Sequence, residues 1–209
     1  MRLRAAGDGG LVEVLVVCTG NVCRSPIAAQ LLGARLARLG IEADVTSAGT
    51  RALVGSPMTP EAIDVLAGFG VEPAGHAARQ LTEGLVRGSE LILTATRAHR
   101  AEVASMVPAA ARRAYTLHEF ARVASVVSLD RPDADATDPT GLLRSLVAAA
   151  PTQRGFAAPP ANPDDDDVVD PYRRPPEVYV EAGERIDLAV AALTEALLAP
   201  IGPGGRGGA

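Results

Sequence analysis

The chain contains no lysine, so all 20 of its basic residues are arginine; tryptophan is absent too, and three Tyr and three Phe are its only large aromatics in 209 residues. With 25 acidic residues the formal net charge is −5. That excludes the broad basic surface that nucleic acid or an anionic membrane would require. Two cysteines, Cys18 and Cys23, are too few for a disulfide-stapled secreted framework or a four-cysteine zinc site. No apolar run approaches the roughly 18 residues of a membrane span. Residues 1–10 lack an apolar core of the kind a signal peptide carries. The expectation is a cytoplasmic protein whose partners include neither nucleic acid nor membrane. We read the missing lysine, together with 21 Gly and 16 Pro, as coding bias of a GC-rich genome.

What is present alternates between strand and helix patterns, which predicts an α/β protein with a mostly parallel sheet. Residues 11–17 (LVEVLVV) form a short, nearly all-apolar, β-branched run suited to a central strand covered on both faces. Ser25-Pro26 reads as an N-cap followed by proline at the first helical position. Leu32, Leu36 and Leu39 then recur at helical spacing up to Gly40. Further strands are expected at 43–47, 91–94 and 114–117. Further helices are expected from Thr59-Pro60 to Phe69, over 97–106, and along Ile186, Val190, Leu193 and Leu197. Residues 121–169 look like an irregular insertion, with at most a short helix around Leu142, Leu143, Leu146 and Val147. Pro159-Pro160 and the acidic run 164–167 read as solvated loop. The domain is expected to span 11–199, with flexible termini at 1–10 and 200–209.

One loop carries the chemistry: Cys18, Thr19, Gly20, Asn21, Val22, Cys23, Arg24 and Ser25 stand between the first strand and the first helix. In an open α/β sheet that is where ligands bind. Backbone amides curling there bind anions, aided by the positive end of the helix dipole. Arg24 adds a planar, permanently charged fork matched to two phosphate oxygens. A cysteine at the mouth of such a loop is favoured as thiolate, the nucleophilic form, and Ser25 can donate a hydrogen bond to it. A cysteine after a strand is, taken alone, an ordinary small hydrophobe. Cysteine and arginine at this spacing, with Gly20 and a Ser-Pro helix start, are not ordinary. A thiolate nucleophile needs a partner acid for the leaving oxygen. Asp170-Pro171 is the candidate, since it follows the insertion, precedes the last helix and has a turn fixed by proline. Asp138-Pro139 is the internal control, the same dipeptide inside the insertion.

These residues resemble the low-molecular-weight protein tyrosine phosphatases. The resemblance lies in residues 16–26 (VVCTGNVCRSP), 46–55 (TSAGTRALVG), 76–82 (HAARQLT), 90–94 (ELILT) and 170–173 (DPYR). It implies a single α/β domain with four parallel strands in the order 2-1-3-4 and helices on both faces. It implies hydrolysis of phosphotyrosine in proteins through a cysteinyl phosphate on Cys18. Arg24 would hold the phosphoryl oxygens, and Asp170 would act first as acid and then as base. Thr19, Gly20, Val22, Cys23 and Ser25 would complete the phosphate loop. Asn21 would hold its strained geometry with Ser25, Ser47 and His76. Cys23 could trap an oxidised Cys18 as a disulfide. No cofactor or metal is implied. Leu53 falls where the family has a pocket wall, and Tyr172 is read as the other wall of a slot for a phenyl ring. Arg173 in place of a second tyrosine, with residues 52–55, resembles the bacterial subgroup acting on tyrosine autokinases of polysaccharide export. Other readings are a protein-arginine phosphatase, in which threonine replaces Val22, or a phosphotyrosine-binding pseudo-enzyme. A three-thiol arsenate reductase lacks its third cysteine, because none follows Cys23.

Overall fold

In the computed structural model, residues 10–127 and 138–198 are described. Strands β1 (Val12–Cys18), β2 (Ala43–Gly49), β3 (Leu91–Thr94) and β4 (Ala114–Thr116) form one parallel sheet in the order β2-β1-β3-β4. Six of the seven side chains of β1 are buried, as its unbroken apolar run requires of a strand covered on both faces. The helices are α1 (Arg24–Arg38), α2 (Pro60–Gly68), α3 (Glu83–Gly88), α4 (Arg97–Met106), α5 (Leu117–Val126), α6 (Pro139–Gln153) and α7 (Pro176–Leu198). One core cluster takes Val12, Val14 and Val16 from β1 together with residues of α1, α5, α6 and α7. The opposite cluster takes Leu15 and Val17 with Val86, Val103 and Val107. Successive β1 side chains thus feed two layers, as the period of two dictates.

Because β2 and β3 flank β1, the chain leaves β1 in one direction along the sheet and returns on its other side. The carboxyl end of β1 is therefore a topological switch point, where α/β folds open a crevice. The loop after Cys18 lies there. Register pairs Cys18 with Gly49 of β2. A Cβ at Gly49 would run into the carbonyl oxygen of Thr19, so the Ser-Ala-Gly sequence at 47–49 is what lets β2 lie against the loop.

Three expectations need correction. Ser25 is not the N-cap of α1: the helix begins at Arg24, Cys23 caps it, and no side chain bonds its first amides. Leu117 belongs not to β4 but to α5, whose start is fixed by a capping box between Thr116 and Glu119. The T-x-x-E pattern was there to be read. Among its described residues, 121–169 holds more regular structure than a short helix around 142–147. Its first residues finish α5, and Asp138-Pro139 starts the 15-residue α6, with the Asp138 carboxylate accepting from the Thr140 amide at 3.0 Å. Leu143, Leu146, Ala150 and Val168 are buried in the main core, so this segment closes the core. The acidic run is not simply solvated either, because Asp166 is 7% exposed and clamps Arg122 through two bonds of 2.6 and 3.1 Å. Residues 1–9, 128–137 and 199–209 lie outside the described residues, and with them most of the expected flexible termini. Among the described residues no helix is long and apolar enough to cross a membrane.

Candidate active site

The loop is shaped by where its carbonyls go. Those of Cys18, Thr19, Gly20 and Val22 accept from the amides of Thr50, Arg51, Leu53 and Thr59, and that of Cys23 accepts from Ile27. The Asn21 carbonyl accepts from His76 Nε2 at 2.7 Å. Every carbonyl from 18 to 23 is thereby turned outward. The amides of residues 20–24 donate to no group among the described residues. A run of free amides at an uncapped helix N-terminus is a receptor for an anion.

Asn21 makes this shape possible. It is fully buried with φ +57°, a left-handed conformation that asparagine tolerates better than most residues. Its Nδ2 donates to Ser25 Oγ (3.0 Å) and to Ser47 Oγ (2.8 Å), and its Oδ1 accepts from the Arg79 amide (2.9 Å). Because an amide NH2 only donates, Ser25 Oγ must accept from it. The hydroxyl hydrogen of Ser25 is then free to point at Cys18 Sγ, 3.0 Å away.

Arg24, almost fully buried, reaches into the same space. Its Nη1 donates to the Val168 carbonyl (3.1 Å) and its Nη2 meets Asp170 Oδ2 at 2.9 Å. The side chain of Asp170 is 55% exposed, so it sits over the mouth rather than in the floor. A turn holds it there, with the Tyr172 amide on its Oδ1 and the Arg174 amide on the Pro171 carbonyl. Together these residues enclose a cavity of about 210 Å³, floored by the loop, with Leu53 and Tyr172 among its walls and Arg51 beside them. Cys18, Arg24, Asp170, Leu53 and Tyr172, chosen from separate stretches of sequence, converge on this one space. Ser47 and His76 stand behind the loop on Asn21.

Cys23 differs from Cys18. It contacts Thr59 Oγ1 (3.6 Å) and Tyr179 Oη (3.8 Å), and burial pushes its thiol upward from the ordinary value. It is thereby kept a neutral thiol.

Three supports were not anticipated. His99, buried at the start of α4, bridges Thr96 Oγ1 (2.7 Å) to Thr19 Oγ1 (2.9 Å). Burial first, and the Arg24 charge second, push its pKa down to about 4, so it is a neutral bridge. Arg79 donates from Nε to the Ser47 carbonyl (2.8 Å). Arg97 grips Asp164 and Asp167, and the next residue, Val168, donates to Ala95 (2.8 Å) while its carbonyl holds Arg24. A lone histidine on α4 and arginines scattered through the chain carry no local pattern that would have marked them.

The sequence model of the family described as low molecular weight phosphotyrosine protein phosphatase matches residues 13–145. The chain belongs to this family. A low molecular weight protein-tyrosine-phosphatase of Escherichia coli K12, Etp, is 46% identical over 96 residues, covering 46% of this chain and 62% of Etp. The match thus spans less than two thirds of that phosphatase. Among solved structures, a low molecular weight protein tyrosine phosphatase from T. tengcongensis aligns with TM-score 0.63 and 29% identity over 88% of this chain and 98% of the other. The YwlE arginine phosphatase from Geobacillus stearothermophilus aligns with TM-score 0.61 and 28% identity over 88% and 92%. Two phosphatases named for different substrates share the fold, so the fold does not choose between phosphotyrosine and phosphoarginine. Asp170 and Tyr172 lie beyond the residues matched by the family model, and their place in the site rests on geometry alone.

Proposed function

We propose that this chain hydrolyses phosphotyrosine in proteins through a cysteinyl-phosphate intermediate. The observation that carries this reading is the run of unpartnered amides at 20–24 around Cys18, with Arg24 beside them. Phosphate oxygens seat on those amides and on the guanidinium, taking the fork from Asp170. The Cys18 thiolate attacks phosphorus, forming the S–P bond as the bond from phosphorus to the tyrosine oxygen breaks. Asp170, released from Arg24 and protonated from solvent, gives that proton to the tyrosine oxygen, so tyrosine leaves neutral. In the second step Asp170 takes a proton from a water molecule whose oxygen attacks phosphorus. The S–P bond breaks and inorganic phosphate leaves, while Ser25 stabilises the returning thiolate. Amides and Arg24 hold the equatorial charge in both steps.

Apolar Val22 and Leu53 and the ring of Tyr172 at the cavity favour an aryl group over a guanidinium. The coarse partner is a tyrosine-phosphorylated protein. The finer one we propose, from the resemblance at residues 52–55 and 170–173, is a tyrosine autokinase of polysaccharide export. A pseudo-enzyme needs neither nucleophile nor acid, and both meet in this cavity.

Phosphotyrosine and phosphoarginine peptides assayed in parallel, without added metal, test the reading. Phosphotyrosine turnover should dominate and should vanish in Cys18→Ser. Dominant phosphoarginine turnover, or activity surviving in Cys18→Ser, would overturn it.

A further inference from the structure

A second hollow, of about 370 Å³, lies between α2 and α7. A thin layer separates it from the phosphate loop: Cys23 lines the loop's cavity, its thiol meets Tyr179 Oη, and Tyr179 lines the hollow. The two helices can approach because α7 has glycine at 183, where a Cβ would run into Val65 and Phe69 of α2 and its end. The walls are apolar, formed by Val65, Phe69, Pro176 and a half-exposed Val180. Glu61, Asp64 and Glu184 are its charged residues. No basic residue lines it, and none of these three carboxylates has an ion pair among the described residues.

Three unneutralised carboxylates around an apolar hollow fit an apolar body carrying positive charge. The volume is within the 300–1,000 Å³ typical of small-ligand sites, large enough for one or two side chains. The hollow also adjoins the substrate mouth. Pro176, in its wall, is four residues from Tyr172, a separation of at most about 14 Å along an extended chain.

We propose that this groove docks the phosphorylated protein itself, taking an apolar side chain flanked by Arg or Lys a few residues from the phosphotyrosine. The proposal rests on the phosphatase reading above. Such a contact raises the effective concentration of the phosphotyrosine at Cys18. It adds protein selectivity that the small catalytic cavity does not supply.

The test uses two phosphotyrosine peptides with a six-residue Gly-Ser linker, whose root-mean-square span is about 12–15 Å. One ends in a Phe-Leu pair flanked by arginines, the other in Gly-Ser. Wild type should show a KM about tenfold lower for the first at equal kcat. Glu61→Gln/Asp64→Asn/Glu184→Gln and, separately, Val180→Arg should erase that advantage and leave turnover of a small aryl phosphate unchanged. The control Glu42→Gln/Asp44→Asn/Glu195→Gln should keep it. Fluorescence anisotropy with the first peptide carrying unphosphorylated tyrosine reads docking without catalysis, and its Kd should rise about tenfold in the groove variants only. Equal KM and equal binding for both peptides in wild type overturn the proposal. An advantage that survives the groove substitutions, or is lost equally in the control, assigns the effect to overall negative charge and overturns it as well. Failure of wild type to turn over the aryl phosphate strikes the phosphatase reading, while anisotropy still decides the groove.

Discussion

The phosphate loop and the acid-bearing segment meet at Arg24, yet they are built by opposite means. The loop, residues 18–25, is held by hydrogen bonds, mostly buried, that involve no ion pair: one asparagine in a left-handed conformation, two serines and outward-facing carbonyls that accept from residues 27–76. The acid segment, 164–172, has little regular structure and is held by cations borrowed from elsewhere. Arg97 of α4 takes Asp164 and Asp167, Arg122 of α5 takes Asp166, and Arg24 takes Asp170. The first arrangement is rigid because its carbonyls and the Asn21 and Ser25 side chains are buried and satisfied, which leaves its amides free for an anion. The second is anchored at Asp166 and Val168, while its pairs at Asp164 and Asp170 are exposed, and exposed pairs contribute little each. That division suits the chemistry. In the proposed reaction the anion receptor is preorganised, whereas Asp170 leaves Arg24 when phosphate arrives.

Substitutions can break this comparison from either side. In the rigid half, Arg24→Lys should have the largest effect, lowering kcat/KM for an aryl phosphate by about 10³-fold. A point charge cannot replace a fork held between two phosphate oxygens and the Val168 carbonyl; retention within tenfold would show that the fork is dispensable. In the acid segment, Asp170→Asn should cost about 10²–10³-fold in kcat with phosphotyrosine and much less with a nitrophenyl phosphate, whose leaving group needs little protonation. An equal loss on both substrates would remove Asp170 as the acid.

Arg97→Ala separates holding from reacting. It should reduce kcat about tenfold with phosphotyrosine while leaving the denaturation midpoint nearly unchanged, since the pairs it breaks are partly exposed. Unchanged kcat would mean that the clasp does not position the acid.

The last prediction concerns stability rather than turnover, through His99. Its folded-state value lies below the ordinary 6.5, near 4. Below pH 6.5 the unfolded chain therefore binds a proton that the folded chain refuses. The stability this confers is full above about pH 6.5 and is lost as pH falls toward 4, by up to about 3 kcal/mol. His118 is shifted in the same direction and remains in a His99→Gln variant. That variant should lose less stability than wild type between pH 7 and 4 by chemical denaturation. Identical slopes would show that His99 is not a buried neutral bridge.

The contrast also explains what could be read from the chain beforehand. The β1 run, the Cys18-to-Ser25 loop and the Thr59-Pro60 helix start are local patterns, and local patterns survive in sequence. The 2-1-3-4 order and the roles of Asn21, Ser47 and His76 were implied by family resemblance. Ser25 misled as an N-cap because Ser-Pro is a helix-start signal, yet its hydroxyl is needed by Cys18 and Asn21. The fold's use of 121–169 was obscured by its Pro, Ala and Asp content. Only packing shows that Leu143 and Leu146 close the core and that Asp166 finds Arg122. The two Asp-Pro dipeptides make the same point, since Asp138 caps α6 and Asp170 faces Arg24. Nothing in the dipeptide tells them apart; the elements around them do.

The central claim is that Cys18, seated under free amides and Arg24, takes the phosphoryl group onto its sulfur. Rapid acid quench during turnover of an aryl phosphate, followed by peptide mass spectrometry, reads this directly. The account predicts phosphate on the peptide containing Cys18, formed within the first turnover and absent from Cys18→Ser. Full turnover with no phosphate on that peptide at any quench time would contradict it.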